Sequence, residues 1–141
     1  MQDLFSVSIM DEFTAAQLGD ARLQRRLSRL AEALAHQPDA SIPKATGSWG
    51  QACAAYRFLD HTSFTPRDLL QPHLTRTRTR AAAHRTVLAV ADTTSLHFGK
   101  ARCVQGLGPV GNCADQGSGL LQHSLLAFTP AGLPLGVLDS Q

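Results

Sequence analysis

The sequence predicts an α+β protein, with a helical amino-terminal region over about residues 1–85 followed by a strand-forming region over residues 86–141. Two observations carry that division. Leu23, Leu27, Leu30 and Leu34 recur at steps of four, three and four, the stripe of an amphipathic helix. After Arg85 the period changes to short apolar, β-branched runs at residues 86–91 and 120–128, the second broken by His123.

The first helix is expected over residues 14–36. On its wheel Arg22, Arg25, Arg26 and Arg29 form a second stripe, about 120° from the leucines at about 100° per residue. Such a face is either a solvated flank of the core stripe or a surface that lies along a phosphate backbone. The segment QPDASIPKATG, residues 37–47, is rich in turn formers and reads as a loop, with Pro38 unable to continue the helix.

Ser48 stands three residues before Gln51, the spacing of a capping box. A second helix is expected from there to about Asp60, with Trp49, Ala52, Cys53, Tyr56 and Phe58 or Leu59 at helical intervals. Arg57 on that helix has two open roles, pairing with an acid such as Asp60 or reaching DNA. Thr65-Pro66, with Asp68 in the first turn, starts a third helix, since proline at the first helical position gives up no needed donor. Pro72 is expected to kink or end it, and TRTRTR, residues 75–80, reads equally as strand, helix end or basic connector.

Residues 86–91, 120–128 and 133–138 are expected strands, the last two joined by the hairpin-like TPAG. The first delivers a lone carboxylate, Asp92, at its end. Between the first two strands lies a segment holding six of the eleven glycines, too many for a regular element. Within it GLGPVG has the spacing of a nucleotide fingerprint, but Pro109 lies inside it and no amphipathic helix follows, so nucleotide binding is not expected.

Composition narrows the function classes. The chain is 141 residues, 43% hydrophobic and 17% charged, with a net charge of +2, as in ordinary globular proteins. The charge is uneven: residues 21–85 carry an excess of about seven positive charges, nearly all arginine, whose planar fork suits phosphate and base edges. No apolar run approaches the roughly 18 residues of a membrane span, and the start MQDLFSVSIMDEF lacks the features of a secretory signal, so a cytoplasmic location is expected. Cys53, Cys103 and Cys113 are odd in number and without CxxC spacing; they read as reduced thiols rather than a disulfide framework or a zinc site.

LGDARLQRRL, AAYRFLDH, VLAVADTTSL and GLLQHSLLAFTPAGLPLGVLD occur in this order. Together they resemble the amino-terminal part of bacterial cut-and-paste transposases of the insertion-sequence-four (transposon-five-like) family, over about residues 11–141. The resemblance implies a helical domain, residues 1–85, that binds double-stranded DNA at the terminal inverted repeats of the element. It implies for residues 86–141 the first three strands of a truncated ribonuclease-H-like mixed sheet. In that core a DDE triad of carboxylates holds Mg2+ against the scissile phosphate, two cations about 3.5–4 Å apart activating the attacking oxygen and stabilising the leaving one.

Asp92 matches the first aspartate of the triad, and so is the expected catalytic residue and metal ligand. Asp115 and Asp139 match no triad position. The second aspartate and the glutamate have no counterpart before the chain stops, so DNA cleavage by this chain alone is not expected, and Mg2+ is not expected to be held stably. The expected DNA contacts are Arg22, Arg25, Arg26 and Arg29, with Lys44 and Arg57 beside them. The sheet implied by the resemblance puts the first strand between the second and the fourth; with the fourth absent, residues 87–91 are expected at a bare edge, which predicts aggregation or self-association. His123 is expected as a hydrogen-bonded core or near-site histidine, and His97 and His73 as surface or packing residues. The contrasting possibilities are an inactive remnant and a regulatory fragment; a location at the bacterial nucleoid accompanies the transposase reading.

Overall fold

The computed structural model describes residues 9–99, 105–110 and 117–141. Among the described residues five helices and four strands follow in order: α1 (Ile9–Glu12), α2 (Ala21–His36), α3 (Ile42–Thr46), α4 (Trp49–Leu59), α5 (Pro66–Ala82), β1 (Leu88–His97), β2 (Gly108–Pro109), β3 (Ser118–Phe128) and β4 (Pro134–Ser140). They divide into two compact units, one up to Arg76 and the other Thr77–Gln141, so the division falls within α5. Among the described residues no helix is long and apolar enough to cross a membrane. Cys103, Cys113 and Asp115 lie outside the described residues, as does part of the glycine-rich segment.

In the first unit α2 is the longest element. It begins at Ala21 rather than near residue 14, because Asp20 caps it: its backbone is extended and its carboxylate accepts the Arg22 N–H at 2.7 Å. An acid at this position satisfies an orphan donor and opposes the positive end of the helix dipole. Leu27 and Leu30 are buried, with Leu23 and Leu34 packed beside them, against Ala16, Leu18, Ala55 and Phe58. The expected leucine stripe is therefore the face that builds this core.

The segment expected as a loop after α2 contains a short helix, α3, with Pro43 in its first turn and Gly47 closing it at φ 72°. Only glycine takes that left-handed conformation without steric cost. Ser48 then caps α4 by accepting the Gln51 N–H, as the capping-box spacing predicts. The buried face of α4 is a correction to the expected one. Ala52, Ala55 and Phe58 are buried, while Trp49, Tyr56 and Leu59 are 77%, 48% and 48% exposed. Three smaller or flatter side chains at steps of three allow close approach to α2; the indole and the phenol are turned outward.

Thr65 and Asp68 close α5 reciprocally. The Thr65 N–H and hydroxyl both donate to Asp68 Oδ2 at 2.7 Å, and the Asp68 N–H returns to Thr65 Oγ1 at 3.3 Å. Pro72 does not end the helix, and TRTRTR is helical, its last residue Arg80 lying two residues before the end of α5. Loss of one internal donor is outweighed by what surrounds it: Leu74 and Thr77 are fully buried, so α5 is held by packing rather than by propensity. His73, expected at the surface or in packing, bonds Glu12 Oε1 through Nδ1 at 2.8 Å, with Glu12 buried.

In the second unit the sheet is antiparallel in every described pairing. β3 is central. β1 pairs with it along its whole length, from Leu88↔Phe128 to His97↔Gly119, and β4 and the two-residue β2 pair with its other edge. Arg80 joins the last turns of α5 to this sheet, donating Nε to the Leu135 carbonyl at 2.7 Å and Nη2 to Thr77 Oγ1 at 3.0 Å.

β1 differs from expectation in two ways. It runs to His97, so Asp92 sits in the middle of a ten-residue strand rather than at its end. All ten residues are exposed, although the apolar run 87–91 reads as one built for burial. Among the described residues β3 is the one strand that pairs with β1.

Candidate nucleic-acid interface

Four arginines share one face of α2 because 22, 25, 26 and 29 are separated by steps of three, one and three residues, close to a single helical turn apart. Arg22, Arg25 and Arg29 are exposed and Arg26 is half-buried. The four line one open depression of about 370 Å³. With no acidic side chain in that lining, their fields add, and at about 0.1 M salt each reaches roughly 10 Å into solvent. The leucine stripe on the opposite flank fixes α2 in the core and so fixes which way the arginines point.

Arg26 is held in place by α4. Its guanidinium donates to Gln51 Oε1 at 2.7 Å, the one hydrogen bond among the described residues that ties the arginine stripe to a second element. Arg26, Arg29, Thr46 and Gln51 also line a neighbouring groove of about 540 Å³ where α2, α3 and α4 meet, with Glu32 and His36 at its side. Gln51 was not singled out as a site residue in the sequence. Its only signal there is the capping-box position; the contact joins residues 25 apart.

Lys44 is exposed in α3, and Arg57 is exposed on α4. Arg57 lines a shallow depression with Tyr56, Leu59 and Asp60, yet among the described residues no hydrogen bond or ion pair joins it to Asp60. Structure therefore brings the four α2 arginines together as one surface and leaves Lys44 and Arg57 as separate exposed cations on their own helices.

Asp92 lies in the other unit. It is exposed, pairs in register with Ser124 of β3, and accepts a long hydrogen bond from Thr94 Oγ1 at 3.3 Å. On the opposite face of the sheet Thr93 Oγ1 and His123 Nδ1 are 2.8 Å apart, so His123 is hydrogen-bonded but exposed rather than a core residue. His97 is exposed at the end of β1. Asp139 faces β3 across from Leu125. A carboxylate with nearby hydroxyls is the right kind of donor for Mg2+, which prefers oxygen. Among the described residues, however, no three His, Cys, Asp or Glu side chains cluster as a metal site would require. Asp92 fits the ion as a single ligand, and the described residues around it do not complete a site.

Residues 8–64 match the model of the family described as transposase DNA-binding. The matched segment contains α1 to α4 and with them the whole arginine stripe, Gln51, Lys44 and Arg57. The match supports a transposase and implies DNA as a partner of the matched segment.

Proposed function

We propose that the chain is the amino-terminal part of a DDE transposase of the insertion-sequence-four type, and that its helical unit grips the terminal inverted repeats of the transposon through the exposed face of α2. The observation that carries the reading is the gathering of Arg22, Arg25, Arg26 and Arg29 around one depression inside the segment that matches a transposase DNA-binding family. From Arg22 to Arg29 the helix rises about 10 Å, a length over which duplex DNA presents about six phosphate charges. Arginine forks bond phosphate oxygens in pairs, so four of them neutralise much of that stretch. Gln51 restrains Arg26 before DNA arrives and lowers the entropy lost on binding.

In this reading β1 to β4 are the opening strands of a ribonuclease-H-like core and Asp92 is the first triad carboxylate, a ligand for Mg2+ in the assembled enzyme. What supports it is the motif ADTTSL on β1, next to a β3 that carries QHSLL. The described residues supply one carboxylate of that kind, so the activity proposed for this unit is limited to holding a ligand. The activity proposed for the chain itself is DNA binding.

The test is binding of a fluorescent duplex carrying the terminal repeat of the encoding element, against a scrambled duplex, across a salt series. Tighter binding to the repeat is expected, with affinity falling linearly in a double-logarithmic plot. The double variant Arg25→Ala, Arg29→Ala is expected to flatten the slope by about two, close to 0.9 per lost phosphate contact. Equal affinity for both duplexes, or an unchanged slope in the variant, rejects the assignment of α2.

A further inference from the structure

The side-chain amide of Gln51 is aimed by its contact with Arg26. A guanidinium carries donors and no acceptor, so the 2.7 Å contact fixes Gln51 Oε1 against Arg26 Nη1 and turns the two Nε2 hydrogens away. Among the described residues Gln51 Nε2 has no partner, and neither do Arg26 Nε and Nη2. Toward a ligand, the pair presents donors alone.

This orientation departs from the one the local sequence favours. Three residues after a capping serine, glutamine returns its side chain to the N–H of the cap. Ser48 accepts the Gln51 N–H at 3.3 Å, but the Gln51 side chain goes to Arg26 and leaves the capping box half closed. Water can satisfy the Ser48 N–H, because residues 47–51 are all exposed, Trp49 at 77%. The first turn of α4 also carries no acid, so a polyanion can approach the pair from this side.

The two concavities on α2 differ in chemistry. Arg22, Arg25, Arg26 and Arg29 alone line the first, which suits phosphate. Arg26 and Arg29 also line the groove of about 540 Å³, but there they stand with Gln51 and Thr46 and with the Glu32 carboxylate. Like charge sets that carboxylate against a phosphate, whereas base edges offer donors as well as acceptors. Contacts to phosphate hold a protein on the duplex, and contacts to base edges give it a sequence.

We propose, resting on the assignment of DNA to this unit, that Arg26 and Gln51 are its base-reading pair and select a guanine next to a second base with an acceptor in the major groove. Arg26 spans guanine O6 and N7 with two N–H groups. Gln51 Nε2 donates at the neighbouring position, to the O6 or N7 of a guanine or the O4 of a thymine. The two-bond pairing of glutamine with adenine needs Oε1 as well as Nε2, and Oε1 is held by Arg26. Cytosine is rejected there, since its N4 donor meets the Nε2 donors. Arg22, Arg25 and Arg29 remain backbone contacts.

Binding of the full chain to the terminal-repeat duplex and to each of its single-base-pair substitutions tests the pair, with thermal melting to verify that every variant is folded. The wild type is expected to lose about tenfold at one G·C pair and at one neighbour of it. In Gln51→Ala the four base pairs are expected to bind equally at that neighbour. Gln51→Glu keeps an oxygen for Arg26 and replaces the donors with an acceptor; glutamate also suits the capping box, so the helix is preserved. Its preference at the neighbour is expected to turn to cytosine. Placing 7-deazaguanine at the G·C pair removes the N7 acceptor, and is expected to weaken the wild type and leave Arg26→Ala unchanged.

A Gln51→Glu variant with the wild-type base profile overturns the proposal, since Gln51 then only positions Arg26. So does a Gln51→Ala variant that weakens every duplex equally, the sign of a backbone contact. Equal binding of repeat and scrambled duplexes by the wild type is a different failure, which rejects the transposon-end reading and the base-reading pair together.

Discussion

Single side chains in this protein take their roles from what lies on either side of them. Asp68 shows this in its ionisation. Bonds from the Thr65 backbone N–H and then from the Thr65 hydroxyl favour the charged carboxylate and hold its pKa below the usual range, with a small opposing effect from burial. A depressed folded-state pKa gives stability that is present above the unfolded carboxylate pKa and is lost as pH falls through the folded value. Following the Asp68 carboxyl by NMR titration is expected to show this lowered midpoint, and Thr65→Ala to raise it toward the ordinary value, with fraying of the first turn of α5. Asp20 at the start of α2 and Asp92 in β1 show how differently one residue type is used. The first is bonded at 2.7 Å to a helix N–H, the second receives one long bond and stands in solvent.

Among the elements, β3 organises the second unit, and its register depends on one glycine. A Cβ on Gly119 would collide with the Leu96 carbonyl oxygen of β1 and lie 2.8 Å from Val110 Cγ2. A backbone atom cannot yield as a flexible side chain does. Gly119→Ala is accordingly expected to cost about 3 kcal/mol in the sheet, read as lost amide protection in β1 and the start of β3. Protection equal to that of the wild type would show that the register of β3 does not depend on Gly119. Within α4 the same logic of close approach operates through Ala52 and Ala55, buried at 0% and 1%, where any larger side chain would push the helix from α2.

For the molecule as a whole, binding and folding can be separated because the arginines and the core occupy different faces of α2. Phe58 is 3% exposed and its ring lies 5.0 Å from that of Phe64. Phe58→Ala is expected to destabilise the first unit by about 3–5 kcal/mol, and to abolish DNA binding at temperatures where that unit melts. The arginine double variant is expected to keep the wild-type melting temperature while losing affinity. Differential scanning calorimetry beside the binding series distinguishes the two, and loss of folding in the arginine variant would show that the stripe is part of the core.

Much of this architecture is legible in the residues alone, and for a consistent reason: local periodicity and local caps are written in adjacent positions. The leucine stripe of α2, the Ser48 cap, the Thr65-Pro66 start and the change to strands after Arg85 depend on spacings of a few residues, so does the single face shared by the four arginines. What only the tertiary structure decided is whatever joins distant positions or depends on having a neighbour. The Arg26–Gln51 bond, the Glu12–His73 pair and the closeness of Gly119 to Leu96 span 25, 61 and 23 residues. Whether an apolar segment is buried belongs to the same class. Trp49 sits at a helical interval yet points into solvent, and the apolar residues 88–91 are exposed, because burial is a property of the surface that meets a side chain and the sequence of that side chain's own element does not contain it.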